Sequence, residues 1–200
     1  MNTLALLGTV FGLAFSAGLN LYATVFVTGL VIRLDWVSLP ANLSSLDTLG
    51  HPVVLSAAGI MYLVEFVADK IPAVDHLWDL GHSVIRPVGA VWIAWRAAGG
   101  GGLSEPAEVA LLLAAGGVAL TTHATKAGTR AAVGATGGHA LGLGIVLSLL
   151  EDLAAIILSP LAILVPILVL LFVVLVLGFG GWVVWRITHR RRTGRAPTAG

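Results

Sequence analysis

The side chains able to do chemistry in this sequence are ionisable groups set among apolar neighbours. Glu65 and Asp69 stand four positions apart with Lys70 beside them, and Glu151 and Asp152 are adjacent inside the apolar run from Leu141 to Leu158. Asp75, Asp79, His82 and Arg86 fall at i, i+4, i+7 and i+11, which at about 100° per residue gathers them into a roughly 60° sector of one helix. Lys126 and Arg130 repeat the four-residue step with positive charge. Two stacked carboxylates repel. Unless a cation sits between Glu65 and Asp69, one of them holds a proton and becomes a proton carrier; the alternative is a structural ion pair with Lys70 or Arg86. Adjacent positions on a helix diverge by about 100°, so Glu151 and Asp152 do not face one partner together, and at least one points into the bundle.

Each group has a plainer reading as well. The Asp75 to Arg86 stripe also suits the solvated face of a helix lying on a membrane surface. Lys126 and Arg130 suit ordinary cytoplasmic loop charge, an anion or phosphate contact, or counter-ions for the four acids. Ser16, Asn20 and Thr24 line one helix face at four-residue spacing, as for interhelical hydrogen bonding or a broken-helix polar site. His76 and His82 beside acids are weak metal-ligand candidates, since no recognised ligand frame surrounds them. There is no His-Glu-x-x-His, Gly-x-Ser-x-Gly or Gly-x-x-x-x-Gly-Lys sequence, so no catalytic motif is present and no cofactor is indicated.

The elements that position these groups follow from composition. Of 200 residues, 58% are hydrophobic and 10% charged, with mean hydropathy +0.98. A soluble domain carries about 25% charged residues, so this chain belongs in a lipid bilayer. The 11 basic and 10 acidic residues leave a net charge of +1, which excludes a nucleic-acid binder driven by charge, and zero cysteines exclude disulfides and thiolate chemistry. Windows of roughly 20 apolar residues predict an all-helical bundle of about six membrane segments. They run from Thr3 to Ile32, Pro52 to Asp69, Ala73 to Ala97, Glu108 to Thr122, Leu141 to Leu158 and Leu161 to Trp185.

The first window would reach ~45 Å as one helix, so it is expected to be broken or re-entrant, with Ser16-Ala17-Gly18 as the break. Pro40 with the following Asn/Ser-rich stretch, Pro72, the glycine run at 99–102, Gly134 with Gly137-Gly138, and Ser159-Pro160 separate the rest. The start lacks a basic segment, so a retained first helix is expected over a cleaved leader. Residues 1–187 then form a single transmembrane domain and 188–200 a basic flexible tail. Lysine and arginine bias places Lys70, Lys126, Arg130 and the tail arginines inside and Arg33 and Arg96 outside, with both termini cytoplasmic in the inner membrane. Gly8-x-x-x-Gly12 and Gly138-x-x-x-Gly142 allow close helix approach, within the chain or in a homo-oligomer.

The string Glu65-Phe-Val-Ala-Asp69-Lys70-Ile-Pro72-Ala-Val-Asp75-His76-Leu-Trp78-Asp79, with His82 and Arg86-Pro87 after it, resembles the membrane family called domain of unknown function 4126. Ser16-Ala-Gly18-Leu-Asn20-Leu-Tyr22 and Ser148-Leu-Leu-Glu151-Asp152 do so too, although members often carry asparagine around Gly134. The resemblance covers nearly the whole chain and implies a small multi-pass protein without implying an activity. Bilayer energetics carries the functional expectation: a charge in a span costs about 2.5–3.5 kcal/mol on insertion scales and so faces a bundle interior or wet cavity. Glu65, Asp69, Asp75, Asp79, Glu151 and Asp152 are expected to form an acidic cavity with His82 as proton relay and Lys70, Arg86, Lys126 and Arg130 as counter-charges. That describes a transporter or channel for a small ion or solute, cationic or proton-coupled. A lipid-phosphate or anion carrier using the basic residues, or a structural partner of another membrane protein, are the other two readings.

Overall fold

The computed structural model describes residues 2–99, 103–138 and 142–193, with the side chains of 72, 73, 75, 76, 184, 187, 188 and 190–193 outside the description. The described chain is all-helical: α1 (Thr3–Leu19), α2 (Leu21–Arg33), a 3-10 helix (Ala41–Gly50), α3 (Pro52–Ala68), α4 (Pro72–Ala98), α5 (Glu105–Ala135), α6 (Leu143–Leu164) and α7 (Pro166–Thr193). Within these, Glu105–Ala135, Leu143–Leu164 and Pro166–Val183 are each long and apolar enough to cross a membrane. The 3-10 helix and α3 together also meet that criterion, bent by 62° where they join.

The first window breaks at one residue, Asn20, and not at Ser16-Ala17-Gly18, all of which are helical and buried. Asparagine makes the break because its side chain can cap. With its backbone extended, Asn20 donates its N–H to Ser16 O at 2.9 Å, closing α1, while its Oδ1 accepts the Ala23 N–H at 2.9 Å, opening α2. The chain then doubles back. Gly8 meets Pro166, Gly12 meets Val169 and Phe15 meets Phe172, so α1 runs alongside α7 in the same direction. Gly12 also meets Ala162 and Asn20 meets Asp152, so α1 runs against α6. On α2, Phe26 meets Gly59 and Gly29 meets Leu49 and Leu55, while Arg33 Nη1 donates to Gly50 O at 3.3 Å; α2 therefore runs against α3 and returns to the end from which α1 entered. The two helices are the arms of a hairpin whose tip is Asn20.

Four other boundaries depart from the sequence expectation. The Asn/Ser-rich stretch is a 3-10 helix because Leu43, Leu46 and Leu49, all fully buried, recur every third residue and share one face at three residues per turn. Ser159-Pro160 lies inside α6, which stops at Val165 instead; a proline removes one N–H and bends a helix without having to end it. The fourth window continues thirteen residues beyond Thr122 to Ala135, so Lys126 and Arg130 are buried helix residues and not loop charges. Likewise α7 extends to Thr193, past the expected start of the tail, and 194–200 lie outside the described residues.

Helix α1 is the centre of the bundle, packed by α4, α5, α6 and α7, and small residues let it sit there. A Cβ built on Gly8 would stand 2.1 Å from Pro166 O, and one on Gly18 2.6 Å from Ala119 O, so the backbones of α7 and α5 occupy the space a side chain needs. We expect Gly8→Leu to lower stability by about 1–3 kcal/mol through overpacking, read as a fall in the unfolding midpoint of the detergent-solubilised protein. Gly128→Leu, where a Cβ meets nothing within 4 Å, should leave the midpoint unchanged or raised.

Candidate functional site

A helix that stops leaves its last carbonyls without N–H partners, and inside an apolar bundle no water is at hand to replace them. At the end of α1 basic side chains do so. Arg86, from α4, donates from Nη1 to Gly18 O at 2.8 Å, and Lys126, from α5, donates from Nζ to Leu19 O at 3.1 Å. Cations also suit the negative end of the α1 dipole. Buried cations require anions in turn. The second guanidinium nitrogen of Arg86 pairs with Glu65 Oε1, both side chains fully buried. Lys126 Nζ lies 3.3 Å from Asp69 Oδ2, 3.5 Å from Glu151 Oε2 and 3.9 Å from Glu65 Oε1. One turn further along α5, Arg130 Nη2 reaches Asp69 Oδ2 at 2.8 Å and Glu151 Oε2 at 2.5 Å.

The fourth pair closes the network on the other side of the tip. Asp152 Oδ1 accepts from Asn20 Nδ2 at 2.9 Å, near the positive start of α2, and its Oδ2 lies 4.0 Å from Lys70 Nζ. Lys70 donates to Ser148 Oγ at 3.3 Å and sits over the Phe66 ring at 3.4 Å; Ser148 donates on to Asp69 Oδ2 at 3.4 Å. Four carboxylates and four bases are thus gathered from α3, α4, α5 and α6 and the turn after α3, their formal charges cancelling. Lys126 lies between Glu65 and Asp69, and of the two expected counter-ions Arg86 pairs with Glu65 while Lys70 turns to Asp152. Oxygens remain for further contacts: Glu65 Oε2 and Asp69 Oδ1 are buried with no hydrogen-bond partner.

Several expected members lie elsewhere. Asp79 contributes its backbone carbonyl, accepting from His123 Nε2 at 3.0 Å, and lines a cleft between α4 and α5 with its Oδ1 buried and unpartnered. His82 hydrogen-bonds to none of the acidic side chains among the described residues. Its Nδ1–H donates to Trp78 O at 2.7 Å, because a carbonyl only accepts, and Nε2 accepts from Tyr22 Oη at 3.2 Å, with the ring stacked on Trp78. Both nitrogens are occupied, Nδ1 within α4 and Nε2 in holding α2 to α4. For the same reason His82 is not offered to a metal, and among the described residues no group of three or more histidines and carboxylates is arranged to hold one. The side chains of Asp75 and His76 lie outside the described residues. Asn20 carries the broken-helix polar face, with Thr24 Oγ1 donating to Asn20 O at 2.8 Å; Ser16 Oγ is buried without a partner.

His123 is the residue that sequence reasoning left out of the site. An arginine only donates, so the 3.0 Å contact between Arg86 Nη1 and His123 Nδ1 makes Nδ1 the acceptor and places the ring proton on Nε2, where it serves Asp79 O. A signal was available: His123, Lys126 and Arg130 stand at i, i+3 and i+7 and share one helix face.

Two clefts reach the cluster from different faces of α5. One of about 490 Å³ opens between α1, α5 and α7 and ends on Lys126 and Glu151. The other, of about 380 Å³, opens between α4 and α5 and ends on His123 and Arg130.

A family model described as a domain of unknown function matches residues 7–186, and the chain belongs to that family, the one numbered 4126. Comparison with curated proteins and with solved structures finds no match.

Removing one partner of a buried pair strands the other charge at a cost of about 3–5 kcal/mol, whereas replacing both by apolar groups of similar volume is far milder. Arg86→Met should therefore destabilise the protein by that amount, and Arg86→Met with Glu65→Leu should recover more than half of it. Unfolding midpoints of the two single variants and the double variant measure the cycle; additive losses would show that the two side chains are not coupled.

Proposed function

For this member of the family, we propose transport across the membrane coupled to protons, with the charge cluster at the tip of the α1–α2 hairpin as the part that changes partners. The observation that carries this is that a cluster of four acids and four bases, balanced and largely buried, is approached by two clefts from different faces of one helix. A purely structural ion network is stable without either approach, and burying eight ionisable groups is a costly way to hold helices together. Every base that touches more than one acid, as Lys126 and Arg130 do, gives a proton or ion a route by exchange: one acid takes the incoming charge while its cation turns to the next. His123, poised against Arg86 at the second cleft, supplies the entry on that side.

In this reading the membrane arrangement differs from six complete spans. Helices α3 to α7 make five crossings and α1–α2 forms a re-entrant hairpin, leaving the N-terminus on the side of Arg33 and Arg96. Lys126 and Arg130 are buried in the cluster and Lys70 is half-buried at its edge, so orientation rests on the arginines at the end of α7, which favour a cytoplasmic C-terminus, in an inner membrane. The sequence has no cysteine, so single introduced thiols report without background. Asn2→Cys and Trp36→Cys should react with an impermeant maleimide from one face of intact cells and Thr136→Cys only after permeabilisation. Reaction of Asn2→Cys and Thr136→Cys from the same face would remove the hairpin topology.

Proton movement is measured directly in vesicles containing the protein and a trapped pH dye, under a potassium diffusion potential. The wild type should shift internal pH several-fold faster than protein-free vesicles, and Glu151→Gln and Lys126→Gln should abolish the difference. Equal rates for all three proteins would end the transport reading.

A further inference from the structure

The larger cleft has a composition that a proton path alone does not need. Its walls are apolar, with Phe15 and Leu19 from α1 and Val176 and Leu177 from α7, and only its inner end is charged, by Lys126 and Glu151. Three of the four threonines along its α5 wall have tied up their hydroxyl protons on their own helix: Thr122 Oγ1 donates to Val118 O at 2.8 Å, Thr125 Oγ1 to Thr121 O at 2.8 Å and Thr129 Oγ1 to Thr125 O at 2.9 Å. Opposite them α7 contributes Gly180 and Gly181, where an added Cβ would meet nothing within 4 Å. The volume of about 490 Å³ falls within the 300–1,000 Å³ usual for small-molecule sites.

The charged end is asymmetric. Glu151 has the most exposed side chain of the four acids, 13% against 0% for Glu65, 1% for Asp69 and 5% for Asp152. Its Oε2 is held by two cations, Arg130 Nη2 at 2.5 Å and Lys126 Nζ at 3.5 Å, both of which also hold Asp69. An incoming cation would compete with two fixed cations for one carboxylate. An incoming anion need displace only Glu151, the carboxylate on the cleft side, to reach both cations while Asp69 continues to hold them. A free anion gains nothing from the apolar walls.

We propose that this cleft takes an anionic amphiphile, its alkyl chain along α1 and α7 and its phosphate or carboxylate head displacing Glu151 from Lys126 and Arg130. The inference rests on the transport reading for what it says about cargo. It also gives a reason for proton coupling: the cluster is already charge-balanced, so an added anion is matched by one proton, taken from the aqueous side and carried by the displaced Glu151 carboxylate.

Binding is testable without transport, using the full-length protein in a non-ionic detergent and dodecyl phosphate as probe, by calorimetry and by the shift in unfolding midpoint. Dodecyl phosphate should bind at least tenfold tighter than inorganic phosphate and than dodecyltrimethylammonium, with affinity rising up to roughly fourfold per added methylene. Glu151→Gln, which removes the competitor's charge, should tighten binding. Gly181→Leu fills open space in the cleft and should weaken binding at least tenfold while the ligand-free midpoint stays at or above that of the wild type; Gly180→Leu is the second variant of the same kind. Equal binding of inorganic phosphate, identifying a free anion as the ligand, would overturn the proposal. Equal binding of the ammonium amphiphile, unchanged affinity in both glycine variants, or weaker binding in Glu151→Gln would do the same. A protein that binds dodecyl phosphate as described yet moves no protons in vesicles, with dodecyl phosphate present or absent, keeps this inference and loses the transport reading; the reverse result loses only this inference.

Discussion

Ending a helix inside an apolar bundle is the constraint on which the rest of this structure depends. Helix α1 stops at Leu19 with the Gly18 and Leu19 carbonyls turned toward the interior, and in that setting only protein donors can satisfy them. Arg86 and Lys126 are those donors. Because they are charged, Glu65 and Asp69 must be near; because Asp69 and Glu151 share Lys126 and Arg130, the network extends from α3 and α5 to α6. Each added member answers the desolvation of the one before it. Asn20 ties the two halves together, closing one helix, opening the next and binding Asp152 through its side-chain amide.

The packing follows the same logic. A hairpin inserted in the middle of a bundle has neighbours on every side, so α1 has to be slim where other backbones pass. Gly8, Gly12 and Gly18 meet Pro166, Ala162 with Val169, and Ala119 with Thr122 respectively. The charged cluster needs little space of its own because its members extend from surrounding helices toward the tip. The two clefts beside α5 place accessible volume next to ionisable groups without exposing most of them.

The charged residues of the cluster were legible in the sequence because ionisable groups in apolar runs are anomalous wherever the chain goes. Glu65, Asp69, Glu151, Asp152, Lys70, Arg86, Lys126 and Arg130 were all singled out, and all meet in one network. Periodicity was less reliable for Asp79 and His82. Both share a face with Arg86, yet Asp79 offers the cluster only its backbone carbonyl, through His123, and His82 is occupied by Trp78 and Tyr22. A shared helix face says that residues point in a similar direction, not what stands there to meet them. His123 was passed over although it lies on the face of Lys126 and Arg130, because a histidine at a helix end attracts less notice than a charge in an apolar run. The Asn/Ser-rich composition around Leu43, Leu46 and Leu49 hid a three-residue repeat that only a 3-10 helix makes useful.

The sequence by itself determined the solvent, the helical class, the family and the identity of the costly charges, since each follows from composition or from local spacing. Tertiary structure alone decided that α1 and α2 turn back on one another, that each acid has a particular base, and that the network sits at the turning point. The reason is that a one-residue break leaves the direction of the next helix to its neighbours, and the partner of a buried charge is selected by residues as much as 132 positions away, as Asn20 and Asp152 are.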